Sequence, residues 1–426
     1  MEAKIKNMTE GNPLPLIVSF ALPLMVGNIF QQCYTVVDTM VVGKVLGVDA
    51  LAALGATDWL YWMVLGMIQG VTQGFSILMA REFGAGRHEE LRKVVGSSVT
   101  LSALCAALFL LVSQLAARPI LTLLNTPPEI MSGSLLYLRI MFFGIPIVMA
   151  YNLLACVLRS LGDSRTPLSA MIVAAVTNIV LDPVFIFLFG MGVKGAALAT
   201  ILSQAVSAVW VVRFLTGKKT TLKIRKENLR IIPSVYLPCV ALGLATFVMQ
   251  STESLLTISF NSSLLRYGGD LAVGAMTILS SLMNFTLMPL QGLTQGSQPI
   301  ISFNYGAGNK KRVGSCYKLL LVVCFSYSTL IWLLAMTAPQ LFAMIFTSDP
   351  ALTEVTVHAL RIYMAVIFMF GLQIGCQQTF VSMGNAKTSL FLALLRKVFL
   401  LIPLIFILPN FFENKAFAVF LAEPVS

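Results

Sequence analysis

The segment Gln-Gly-Val-Thr-Gln-Gly at 69–74 returns as Gln-Gly-Leu-Thr-Gln-Gly at 291–296, and Gly84-Ala85-Gly86 returns as Gly306-Ala307-Gly308. Both pairs are 222 residues apart. The same offset relates Ser160, Gly162, Arg165, Thr166 and Leu168 to Ser382, Gly384, Lys387, Thr388 and Leu390, and Leu138-Arg139-Ile140 to Leu360-Arg361-Ile362. One offset held over such a span makes the chain a tandem of two similar halves. In a very apolar sequence that symmetry points to a transporter working at the interface between repeats.

The chain is 57% hydrophobic and 11% charged, where an ordinary soluble domain carries roughly 25% charged residues. Apolar surface in such surplus must face lipid. The net charge of +11 does not point to nucleic acid, because the basic residues sit in short gaps between apolar runs and form no basic face. Seven cysteines lie scattered through apolar stretches without a C-x-x-C or a Cys/His cluster, so neither a disulfide framework nor a zinc site is expected, only inert buried thiols. The two histidines, His88 in a connector and His358 near a helix end, read as surface residues. An intramembrane enzyme would need a polar constellation at membrane depth, so neither an enzyme nor a cofactor is expected.

Apolar runs long enough to cross about 30 Å of hydrocarbon fall at 14–42, 50–80, 95–117, 133–158, 167–189 and 193–214, then at 234–262, 271–303, 316–338, 355–381, 388–409 and from 415. They lack the short alternation of a membrane barrel. The expected fold is therefore all-α integral membrane, with two pseudo-symmetric six-helix bundles: 1–215, a basic linker at 216–233, and 234–426. The first run is too polar, with Gln31, Gln32 and Asp38, and too long for a removable signal peptide. Placing the N-terminus in the cytoplasm puts roughly twenty lysines and arginines inside against about five outside, as the positive-inside rule requires. The linker's basic residues also suit contact with lipid headgroups. The partner of Phe214 under the repeat would be residue 436, so the twelfth helix is expected to be cut short at Ser426.

An ionisable side chain at membrane depth costs about 2.5–3.5 kcal/mol on insertion scales and needs a compensating role. Asp38 lies late in the first run, Asp182 mid-run in the fifth and Glu253 in the seventh. Asn178 and Asp182 are four apart and share a helix face. Pro183 leaves the carbonyl of Ile179 without its helical donor and kinks the chain beside them. Such a place suits a proton or a sodium ion. Each acid also has a plainer reading: Asp182 bonding a freed backbone group, Asp38 reaching the headgroups, Glu253 sitting in a wet helix start. Arg396 and Lys397, in the eleventh run, are expected to snorkel to the inner surface or to face a central cavity.

These residues resemble a family. Asn12-Pro13-Leu14-Pro15-Leu16, the Gln-x-x-Tyr-x-x-x-Asp stretch ending at Asp38, Gly84-Ala85-Gly86 and its twin, Arg159-Ser160-x-Gly162-Asp163-x-x-x-Pro167, and Asn178-x-x-x-Asp182-Pro183 are similar to the multidrug and toxic compound extrusion (MATE) transporters, in a branch of bacterial multidrug exporters. The resemblance implies two bundles forming a V-shaped cleft, in a multi-pass protein of the bacterial cytoplasmic membrane that exports organic, mostly lipophilic cationic compounds by proton or sodium antiport. It implies an ion site built from Asp38, Asn178, Asp182 and Thr200, with sodium as one candidate ligand, and with Tyr34 and Asn152 lining the same cavity. Other members join a seventh-helix Glu to acids on the tenth helix. Glu253 matches the first part, but the tenth run offers only Gln373, Gln377 and Gln378.

Two ionised carboxylates in low dielectric repel one another, so an Asp38–Asp182 pair should welcome a proton or a cation. Loading it would bend or straighten helices hinged at Pro23, Pro146, Pro183 and Pro289. Met63, Met67, Met283 and Met288 are read either as soft substrate-lining residues or as ordinary packing, with Glu253 and Arg396 at the cavity wall. A monomer is expected. A lipid-linked saccharide flippase of the same superfamily is the alternative, although it should line its cavity with several arginines. A channel would not need paired acids in one half.

Overall fold

The computed structural model describes residues 8, 10–46, 48–123, 126–216, 232–347 and 349–426. Every regular element among them is helical. In chain order they are α1 (Pro13–Leu46), α2 (Val48–Gly84), α3 (His88–Leu123), α4 (Pro128–Phe143), α5 (Ile145–Ser160), α6 (Arg165–Pro183) running into a π-helical segment (Val184–Leu188), and α7 (Val193–Thr216). The second half has α8 (Pro233–Gly306), α9 (Lys310–Thr337), the short α10 (Pro339–Phe346), α11 (Pro350–Tyr363) and α12 (Ile367–Ser382). It closes with α13 (Ala386–Leu394), a second π-helical segment (Leu395–Leu401), α14 (Ile402–Ile407) and α15 (Lys415–Val425).

Eight of these helices are long and apolar enough to cross a membrane, or ten when α4 with α5 and α11 with α12 are each taken as one bent span. The 74-residue α8 turns at Gly269, whose φ of 62° and ψ of −160° lie in a region essentially reserved for glycine. That break separates the two arms expected at 234–262 and 271–303. The runs at 133–158 and 355–381 are both bent: the first by 42° at Gly144, beside the hinge expected at Pro146, and the second by 51° across residues 364–366, where no hinge was expected. Gly144 lies where a Cβ would come within 2.7 Å of Ile201, and Pro146 in the next turn has no N–H to carry the helix through. Adding 222 to Gly144 gives position 366, so both halves bend at equivalent places.

The chain divides into two compact units. The first holds Met1–Asn12, Leu22–Phe247 and Ser302–Lys310, and the second Pro13–Ala21, Val248–Ile301 and Lys311–Ser426. In the first, Phe75, Ile68, Met79, Leu121, Leu138, Ile145 and Met149 are buried. In the second, Leu264, Leu279, Leu360, Met364, Val419 and Phe420 are buried, so the short α15 is part of a core. Large apolar side chains such as Leu115, Leu188, Phe399 and Phe411 point outward, as a lipid-facing surface demands. Five of the described cysteines are buried and Cys376 is half-buried.

The repeat is visible in the backbone. Gly86 and Gly308 both turn at φ of 70°, and Gly162 and Gly384 at 94° and 82°. Within the first unit the ends of α2 and α8 meet through glycines. A Cβ on Gly84 would stand 2.0 Å from the carbonyl oxygen of Phe303, and one on Gly306 would stand 2.1 Å from that of Arg81. These two contacts are each other's images under the 222-residue shift. Phe83 and Phe303 stack edge to face at 5.4 Å beside them, and Asn304 donates to the carbonyl of Met8 at 3.0 Å. Backbone cannot yield as a flexible side chain can, so Gly84→Ala and Gly306→Ala should each cost about 1–3 kcal/mol and lower the melting temperature in detergent. Gly314→Ala, which meets open space, should leave it unchanged.

Candidate functional site

The helical hairpin of α6 and α7 is built for close approach. Ala170, Ala174 and Ala175 on α6 and Ala196, Ala197 and Ala199 on α7 are all buried, and small residues let two backbones draw together where lipid gives no hydrophobic drive. Into that contact α6 places Asn178 and Asp182, both fully buried, and α7 places Thr200, 7% exposed. The amide nitrogen of Asn178 lies 3.4 Å from Asp182 Oδ1 and 3.4 Å from Thr200 Oγ1. It therefore bridges the carboxylate and the hydroxyl. Asn178 Oδ1 is buried without a hydrogen-bond partner among the described residues, and an amide oxygen so placed costs about 1–3 kcal/mol unless something meets it.

Pro183 marks a change in helix type, not a simple kink. The chain passes at once into the π-helical segment Val184–Leu188, where Phe189 N donates to the Val184 carbonyl at 3.1 Å. Wider turns of this kind concentrate at functional sites. Carboxylate, amide and hydroxyl oxygens are hard donors, the chemistry that suits a proton or an alkali cation.

The other expected site residues fall out unevenly. Tyr34 and Asp38 lie on α1, but their side chains fall outside the described residues. Asn152 is half-buried on α5 and donates to its own helix, to the Val148 carbonyl at 2.9 Å. Met63 packs against the core of the first unit and Met283 against that of the second, while Met67 and Met288 are half-buried. His88 and His358 are exposed, as expected.

The second unit holds a different polar cluster. Arg396 and Lys397, expected to snorkel or to face a cavity, are each paired with an acid. They sit on the second π-helical segment, where the Arg396 guanidinium pairs with Glu423 of α15 and the Lys397 ammonium pairs with Glu253 of α8. Arg396 also donates to Gln373 Oε1 at 3.4 Å and lies 4.9 Å from the centre of the Phe370 ring. The side chains of Arg396, Glu423 and Lys397 are 18%, 13% and 15% exposed, against 54% for Glu253. Two carboxylates within reach remove the reason to climb to the interface, because a paired charge needs no headgroup. Glu423 is the residue that sequence reasoning missed. Its signal was present: an acid in the last apolar run, one position past Ala422, the repeat image of Thr200.

With this geometry in hand, the chain can be set beside known proteins. The MatE family model matches it twice, over residues 23–184 and 245–407, so the two matches begin 222 residues apart. It is 30% identical over 281 residues to the probable multidrug resistance protein YoeA of Bacillus subtilis (strain 168), an alignment covering 64% of this chain and 60% of YoeA. It is 23% identical over 407 residues to the multidrug export protein MepA of Staphylococcus aureus (strain NCTC 8325 / PS 47), covering 93% of this chain and 87% of MepA. Among solved structures, MATE in its bent conformation superposes with a TM-score of 0.93 at 23% identity, over 100% of this chain and 94% of that one. That last likeness is one of fold.

The Arg396–Glu423 pair, largely shielded from solvent in the second unit, makes a stability prediction. Glu423→Leu should strand the Arg396 guanidinium and destabilise the protein by about 3–5 kcal/mol. Arg396→Leu with Glu423→Leu should recover most of the loss, and thermal melts of both single variants and the double variant close the cycle.

Proposed function

We propose that this chain, which belongs to the MatE family, is a multidrug efflux transporter of a bacterial cytoplasmic membrane that exchanges organic, mostly lipophilic cations for protons or sodium. The observation that carries the exchange is the buried Asn178–Asp182–Thr200 set beside the π-helical break. A charged carboxylate at membrane depth is tolerated only with compensation. A proton or cation supplies it from one side of the membrane and withdraws it on release to the other. The likeness in sequence to proteins named for multidrug export supports the substrate class.

In this reading Asp38 completes the acid pair, with Tyr34 and Asn152 close by, and the N-terminal half (1–215) carries the ion. Loading removes the mutual repulsion of two carboxylates. The segment at Pro183 to Leu188 and the bend at Gly144 are the places where α6 and the α4–α5 pair can respond, because neither has a continuous ladder of helical hydrogen bonds to break. Switching between two such arrangements exposes the substrate path to each side in turn. The protein acts as a monomer with its N-terminus in the cytoplasm and the 216–233 linker against anionic headgroups. A flippase for lipid-linked saccharides is disfavoured, since Arg396 and Lys397 are both engaged by carboxylates and are not free to hold a diphosphate.

Asp38→Asn and Asp182→Asn should each abolish coupled export in proteoliposomes while the variants still fold into the membrane. Full export by either one removes the assignment. Glu253→Gln should be milder. Tetraphenylphosphonium binding to the purified protein should weaken as pH falls, because protons neutralise the attracting carboxylates. A flat titration would separate substrate binding from those groups.

A further inference from the structure

A carboxylate inside a membrane protein has three ways to be neutral: a proton, a mobile cation, or a cation fixed to the chain. The second unit uses the third. Glu253 is half-exposed, and the ammonium of Lys397, itself 15% exposed, donates to its Oε1. Arg396 is committed elsewhere, to Glu423, Gln373 and the Phe370 face. The neighbourhood of Glu253 thus contains Lys397, Glu423 and the half-buried Tyr363, with Arg396 beside Glu423. Two fixed positive charges meet two fixed negative ones. The adjacent residues 396 and 397 leave the π-helical segment in different directions, and each meets its own acid. By contrast, a neutral amide, that of Asn178, donates to Asp182 in the first unit.

We infer that Lys397 is a resident counter-ion: its ammonium holds on Glu253 the place that a mobile monovalent cation would otherwise take. The second unit is therefore charge-complete without an exchanged ion, and the stoichiometry of exchange is set by the Asp182 site alone. This rests on the exchange reading above. A corollary is that removing the ammonium turns Glu253 into a new site for a proton or sodium.

The test counts ions on the purified full chain. In an Asp182→Asn background, Lys397→Met should add about one monovalent cation per chain, seen as equilibrium binding of radioactive sodium or as proton uptake on acidification. Adding Glu253→Gln should abolish the gain, and Lys397→Arg in place of Lys397→Met should never show it. A folded Lys397→Met protein that gains neither ion, or a gain that survives Glu253→Gln, overturns the inference. Because the readout is a difference between two proteins that both lack Asp182, it stands even if Asp182→Asn alone binds as many ions as the parent, a result that would instead overturn the exchange reading. A poorly stable variant remains informative through rescue. Propylammonium should raise the melting temperature of Lys397→Ala saturably, and should fail to do so once Glu253→Gln is added. Equal effects on both proteins would count against a tethered cation.

Discussion

Hydrocarbon solvates neither a backbone amide nor a charge, and most of this structure follows from that fact. Each long apolar run becomes a helix because a helix satisfies its own N–H and C=O groups. The places where helices depart from that pattern are confined. Among the described residues they include Gly144, residues 364–366, Gly269, two π-helical segments and the 3-10 turn at Leu408–Asn410. The first π-helical segment follows the buried Asp182, and the second carries the half-buried Arg396 and Lys397.

The two units answer the same constraint differently. In the first, a carboxylate is bridged by an amide to a hydroxyl, and an amide oxygen is left facing inward. That arrangement is polar but not saturated, and it gains by taking in something small and positive. In the second, each acid is matched with a base from one short segment of helix. Breaking such a pair costs far more than forming it yields, so the second arrangement resists change where the first invites it.

Much of this was legible in the sequence. The 222-residue offset, the runs and the Asn178-x-x-x-Asp182-Pro183 pattern placed the helices and picked out α6 as the polar one, because period and hydropathy are local properties. The bend at Gly144 falls beside Pro146, which the sequence marks as a hinge. The bend near Val366 was not legible, since an apolar run reads the same straight or bent. Nor was the fate of Arg396 and Lys397. Whether a basic residue snorkels or pairs depends on what another helix offers across the gap, and Glu423 lies 27 positions away on another helix. Thr200 entered through family likeness alone, and the structure brings it to Asn178 by packing alanines that carry no chemical signal of their own.

The π-helical segments also act on angular phase. A turn with i to i+5 bonding accommodates about one residue more than an α-turn and so rotates everything after it by about 100° around the helix axis. In the first half that rotation falls after Asp182, at Val184–Leu188; in the second it falls earlier, at Leu395–Leu401. Between those two points, residues that the repeat sets side by side look in different directions. Asn178 and Asp182 correspond to Leu400 and Leu404, so the N-terminal polar face has a leucine counterpart turned elsewhere. The two copies of the hairpin thus differ both in where the wide turn falls and in the side chains it orients.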